Sequence, residues 1–155
     1  MNVVTHLLNH PRWPLLVYPA ALEKVSPEAF EDLFTRNKWP AAWRNGVHPF
    51  QHFHSNSHEV LGVYAGEVTV RFGGPEGEMR GVTLTAKPGD VIVLPAGTLH
   101  KKLASKGRLG IVGAYPEGSD PDMHLGIQKR KSDAPLPACD PVFGAGGPLL
   151  TYWRA

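Results

Sequence analysis

A chain of 155 residues with 16 basic and 14 acidic side chains is nearly charge-balanced and long enough to bury a core without disulfide staples. With no basic run interleaved with aromatics, nucleic acid is excluded as a partner. The one cysteine, Cys139, excludes an intrachain disulfide and cysteine-rich metal motifs, and the lack of a basic leader or a membrane-length apolar run predicts a cytoplasmic protein with no membrane contact.

In chain order, Trp13 to Tyr18 is apolar and β-prone, and Pro11, Pro14 and Pro19 around it predict a sheet-edge strand. Ser26 as N-cap, Pro27 at the first helical position, Glu28 and Glu31 near the positive dipole end, and Phe30, Leu33 and Phe34 on one face predict a helix over about 26–37. Trp39-Pro40 ends it. From Val47 onward short β-rich runs alternate with Gly and Pro, predicting strands near 48–54, 59–65, 67–72, 80–86, 91–94, 99–103 and 109–115, with turns at 73–77 and 87–90. That texture is all-β, a barrel or jelly roll. Beyond Tyr115 the chain is rich in Pro and Gly, carries a charged patch at 129–131, and ends in Leu149, Leu150, Tyr152 and Trp153. Those residues predict an arm whose end docks on the barrel or on a partner subunit. The apolar strand 15–18 and the aromatic end both need burial and together predict a homodimer.

Four of the eight histidines fall within residues 48–58. Side chains two apart on a strand share a face, so His52 and His54 point the same way, with His48 and Phe50. His58 and Glu59 are adjacent and point to opposite faces, so only one of them reaches a site built on that strand. His100 follows the turn Pro95-Ala96-Gly97. Three imidazoles with one further nitrogen or carboxylate donor have the ligand types and count of a mononuclear metal site with open positions. Phe50, His58 and Lys102 are the candidate pocket residues, Lys102 as a cation at the mouth for an anionic substrate. His6, His10 and His124 have no partner spacing and are expected at the surface; Trp39 and Trp43 flank the first motif and are expected in the core, with a pocket wall as the alternative. Ser55, Ser57 and Cys139 have no base at motif spacing, so nucleophilic hydrolysis is not indicated.

Two segments carry a family resemblance. Residues 46–66 read Gly46-x5-His52-x-His54-x4-Glu59-x6-Gly66, and residues 89–100 read Gly89-x5-Pro95-x-Gly97-x2-His100. They resemble the two motifs of the cupin superfamily. The second motif's closing Asn is replaced by Ala104. The runs around His54 to Gly62, Gly89 to Pro95 and Val112 to Pro116 are similar to small single-domain bacterial cupins of the YjlB type. The resemblance covers about residues 46–116. It implies a double-stranded β-helix, or jelly-roll barrel, with a short amino-terminal helix and an extended carboxy-terminal arm. One domain over 1–155 is expected: barrel about 46–116, amino-terminal strand and helix 12–38, arm 117–155. The resemblance also implies a metal on His52, His54, Glu59 and His100, with Glu59 rather than His58 as the acid-side ligand and His58 at the pocket rim.

Nitrogen and oxygen donors without thiolate suit Fe, Mn, Ni or Zn as a divalent ion. The expected function is a metal-dependent enzyme, dioxygenase-like, acting on a small molecule. An isomerase or lyase using the ion as a Lewis acid is the first alternative, and a non-enzymatic small-molecule binder the second.

Overall fold

The computed structural model describes residues 3–8, 12–75, 77, 80–126 and 132–154; His10 and the charged patch at 129–131 lie outside them. Among the described residues the strands are β1 (Val4–His6), β2 (Leu15–Tyr18), β3 (Ala41–Asn45), β4 (His52–Phe53), β5 (Glu59–Phe72), β6 (Val82–Ala86), β7 (Val91–Leu94), β8 (His100–Ala114) and β9 (His124–Leu125). The helices are α1 (Pro27–Arg36) and the single turn α2 (Leu149–Tyr152). All ladders are antiparallel, in the order β1-β2-β7-β5-β8-β4-β9, with β3 also on β8 and β6 also on β5.

The long pair β5·β8 is the spine of this curled sheet, running from Val60↔Ala114 to Phe72↔His100. Four predicted strands are therefore two. The expected breaks at Gly66 and at 104–108 are bends inside continuous strands. Gly66 and Gly107 take left-handed φ of 72° and 71°, and the ladder slips register near Gly66, so the strands turn without ending. A Cβ on Gly66 would stand 2.9 Å from the Lys106 carbonyl, which makes glycine obligatory there. Beyond the bend each half of β5 takes a different neighbour, β7 on Glu59–Gly62 and β6 on Val68–Phe72, which curls the sheet over itself. This mostly β, curled antiparallel architecture is that of a jelly roll.

Both faces of the sheet are buried. Leu15, Leu61, Val63, Val70, Phe72, Ile92 and Ile111 fill the barrel interior. Their alternates Leu16, Val60, Val91, Val93 and Val112 pack outward against Phe30 and Phe34 of α1 and against Leu149 and Trp153. The helix forms as its signals require: Ser26 Oγ accepts from Ala29 N–H at 3.0 Å, and Asn37 caps the other end.

Strand β2 is not an edge. It lies between β1 and β7, because Pro14 and Pro19 flank the four paired residues and remove no ladder donor. The carboxy-terminal segment is more than an extended arm. Trp153, fully buried, stacks on Trp13 at 5.4 Å; its indole N–H donates to Pro14 C=O at 2.8 Å, and Trp13 N–H donates to Arg154 C=O at 2.7 Å. Buried Asp140 organises the approach, accepting from the backbone N–H groups of Val142, Phe143 and Leu149 at 2.7–3.0 Å and from the Tyr18 hydroxyl. Of the segments that prompted the dimer expectation, β2 and Trp153 are thus covered within the chain, whereas Tyr152 is exposed. No helix among the described residues is long and apolar enough to cross a membrane.

Candidate metal centre

Three elements deliver the site. The expected strand 48–54 shrinks to His52 and Phe53 of β4, since residues 49–50 bend away, but β4 pairs with β8 so that His52 lies directly opposite His100. The turn after β7 is closed by Thr98 Oγ1 and N–H, both donating to Pro95 C=O, and Gly97 takes φ of 90° while its N–H donates to His54 C=O at 2.7 Å. That turn starts β8 at His100. Glu59 opens β5 on the same face as Leu61, inside the barrel.

Each of the three imidazoles is held by a backbone carbonyl at Nδ1: His52 by Phe50 at 2.9 Å, His54 by Asp122 at 2.5 Å, His100 by Thr98 at 3.0 Å. A carbonyl only accepts, so every Nδ1 carries its proton and every Nε2 is left to bind a cation or a second proton. Nε2 of His54 and of His100 lie 3.6 and 3.3 Å from Oε2 and Oε1 of Glu59. One donor atom from each of His54, Glu59 and His100 falls within 4.8 Å of the others, and all three residues are buried. His52 stands beside this trio, its ring centroid 4.0 Å from that of His100.

The electrostatics of the cluster are under tension. Glu59 is buried, and its Oε1 has no hydrogen-bond donor among the described residues. Burial pushes its acidity down, yet facing His100 and His54 outweighs burial and holds the carboxyl well below the usual range. His54 shows the same balance in reverse: burial lowers it, and Glu59 outweighs burial so that its pKa is raised. His52 is pulled down to about 3, by burial first and by His100 second, and so stays neutral. A buried carboxylate facing two Nε2 lone pairs needs a positive charge between them, either an extra proton or a cation. Three nitrogen donors and one oxygen suit a divalent transition ion.

A cavity of about 210 Å³ opens onto these four residues, walled by Trp43, Asn45, His48, Leu61, Tyr115 and Met123. Tyr115, just past β8, accepts from the Trp43 indole N–H at 3.0 Å; burial, then the charge of Glu59, raises its pKa, so the phenol keeps its proton.

None of the three expected pocket residues lines that cavity. Phe50 is exposed and stacks on His48 at 4.8 Å. Lys102 is half-buried, and its backbone N–H donates to His48 C=O at 2.9 Å. His58 lies on the outer face of the sheet, between Trp13 at 5.5 Å and Trp153 at 4.7 Å. Its Nδ1 accepts from Ala96 N–H and its Nε2–H donates to Pro135 C=O, both at 2.9 Å, the opposite tautomer to the three site histidines. His58 is therefore a structural histidine, not a rim group, because strand alternation turns it away from Glu59.

Trp43 walls the cavity, the second reading its position offered, whereas Trp39 is in the core as expected. Other residues escaped the sequence reading. Asp122 orients His54 through its carbonyl, while its carboxylate accepts from Ser55 N–H at 2.7 Å, from the Ser55 hydroxyl, and from His124 Nε2 at 3.0 Å. Burial opposes ionisation of Asp122, but the Ser55 bonds outweigh it and hold its pKa at about 2. His124, expected at the surface, instead belongs to this network and stacks on Phe53 at 4.9 Å. No local spacing signals these roles, since Asp122 reaches His54 across 68 residues.

Residues 43–115 match the family model described as Cupin. The chain is 40% identical over 152 residues to the uncharacterized protein YjlB of Bacillus subtilis (strain 168), covering 94% of this chain and 88% of that one. Among solved structures, Momordica charantia 7S globulin is 20% identical with a TM-score of 0.46, over 79% of this chain and 35% of the globulin. A DUF861 family protein from Thermotoga maritima is 23% identical with a TM-score of 0.33, over 67% of this chain and 96% of that one.

Proposed function

Since the chain belongs to the cupin family, we propose that it holds one divalent transition-metal ion on His54, Glu59 and His100, with His52 as fourth ligand, and acts on a small molecule in the adjoining cavity. The observation that carries this reading is the shared tautomer: three Nδ1–H groups tied to carbonyls leave three Nε2 lone pairs beside a buried carboxylate oxygen that lacks a donor. Iron, manganese, nickel and zinc all suit the donors; iron, when bound, would supply oxygen-dependent chemistry at its open positions, the dioxygenase-like reading.

The chain's own residues supply the rest. His52 stays neutral and available as a donor because burial depresses its pKa. Asp122 holds the ring of His54, and groups that fix a ligand's tautomer also raise its basicity. Leu61, Trp43 and Met123 give the cavity an apolar wall that limits water at the reacting centre.

Metal analysis of the purified protein, followed by oxygen uptake with small aromatic and diketone compounds, tests the reading. Stoichiometric iron with oxygen consumption supports it. Manganese or zinc with turnover indifferent to oxygen replaces it with an isomerase or lyase, and thermal stabilisation by a ligand without turnover replaces it with a binder. Protein with no recoverable metal affinity refutes it.

A homodimer is a separate proposal. The outer edge of β1 has no partner strand among the described residues, and Val4 within it and Leu7 just after it are 42% and 65% exposed. A monomer by light scattering at micromolar concentration refutes it.

A further inference from the structure

Resting on the metal reading above, we propose that the Trp43–Tyr115 pair makes the cavity a receptor for a small oxyanion, a carboxylate or an enolate. One oxygen of this ligand faces the ion, and another accepts a hydrogen bond from the Tyr115 hydroxyl.

The geometry of the pair is built into the strands. Trp43 of β3 pairs with Gly113 of β8, and a Cβ on Gly113 would stand 2.0 Å from the indole. The ring therefore lies on bare backbone, which only glycine allows. From there its N–H donates to Tyr115 Oη at 3.0 Å. An oxygen that accepts from an indole still has its own proton to give, and the phenol ring lies edge-on to the ring of His54, 5.6 Å away. Tyr115 also lies within hydrogen-bonding reach of Glu59, which places its hydroxyl beside the ligand cluster.

Charge and size select the acceptor. Three neutral imidazoles, the Glu59 carboxylate and a dication leave one net positive charge, and the ion's own charge dominates such a site. Among the described residues no Lys, Arg or second acid lines the cavity, so the protein supplies no further counter-charge and an anionic ligand is favoured. A volume of about 210 Å³ is below the roughly 300–1,000 Å³ of pockets for drug-sized molecules, which restricts the ligand to a small one.

The test uses the full chain loaded with Co(II), whose visible absorption reports its coordination, titrated with acetate and separately with thiocyanate, an anion with no oxygen. Tyr115→Phe should bind cobalt at wild-type stoichiometry, weaken acetate by about tenfold or more, and leave thiocyanate within about twofold, because it removes one hydrogen bond to a charged oxygen. Trp43→Phe, which keeps a ring and loses the N–H, should shift acetate in the same direction by less. Equal acetate affinity in wild type and Tyr115→Phe, or no spectral response to acetate, overturns the proposal while the metal reading stands. Weakened cobalt binding in Tyr115→Phe with unchanged anion affinity also overturns it, assigning the phenol to Glu59. Failure of wild type to bind cobalt removes the metal reading, and this proposal with it.

Discussion

Exchanging two adjacent residues, Glu59→Gln and His58→Ala, should separate metal binding from stability in opposite directions. Glu59 faces two imidazole Nε2 atoms at 3.6 and 3.3 Å inside the barrel, whereas His58 is wedged between two indoles on the outer face. Glutamine at 59 replaces a charged oxygen donor by a neutral amide. Losing a partner that merely orients a ligand costs about 10–100-fold in metal affinity, so losing this ligand should cost at least about 100-fold. The metal-free protein should change little, within about 1 kcal/mol, because the buried charge disappears and the new amide N–H can donate to a facing Nε2. His58→Ala removes two hydrogen bonds of 2.9 Å, about 1 kcal/mol each, and leaves a cavity between Trp13 and Trp153 worth about 1–2 kcal/mol more. A loss of about 3–4 kcal/mol lowers Tm by about 6–16 °C in a chain of this size. Chelator competition with Mn(II) gives the affinities, and melts in excess chelator give the stabilities. Metal lost in His58→Ala and retained in Glu59→Gln would refute the assignment of faces.

Four further outcomes are expected. Metal-free protein should be most stable near pH 6.5 in thermal melts from pH 4 to 9: depressed His52 and Glu59 contribute stability above their unfolded values that is lost as pH falls toward 4, whereas raised His54 contributes stability present below 6.5 that is lost as pH climbs through its folded value. Mn(II) occupancy should run the other way on the alkaline side, rising with pH as His54 sheds its second proton; occupancy falling from pH 6 to 8 contradicts the His54 assignment. Asp122→Ala, which unties the loop whose carbonyl holds His54, should weaken metal by about 10–100-fold in the same chelator assay, and a change under twofold would show that the loop does not position the ring. Trp153→Ala should cost about 4 kcal/mol regardless of protein concentration, since its ring packs within its own chain; destabilisation that vanishes on dilution would place the tryptophan at a subunit contact instead.

Much of the site was legible because its signals are local. The spacing of His52, His54, Glu59 and His100 and the turn glycines Gly66, Gly89 and Gly97 place the same residues on strand ends whatever the rest of the chain does, and Ser26-Pro27 starts its helix through bonds to residues three and four away. What sequence could not settle is direction and distance. Alternation says that His58 and Glu59 face opposite ways, but both faces of this sheet are buried, so hydrophobic pattern alone does not say which face is the barrel interior. Continuity through Gly66 and Gly107 was also hidden, because a glycine that bends a strand reads in sequence like one that ends it. The tautomers of the site histidines, the Trp43–Tyr115 pair over Gly113, the Asp122 anchor and the docking of Trp153 on Trp13 join residues as much as 141 apart in the chain. Only closure of the barrel brings such groups within hydrogen-bonding range, so the sequence determined which donor residues stand at motif spacing, and the tertiary structure decided which way each one points and what holds it there.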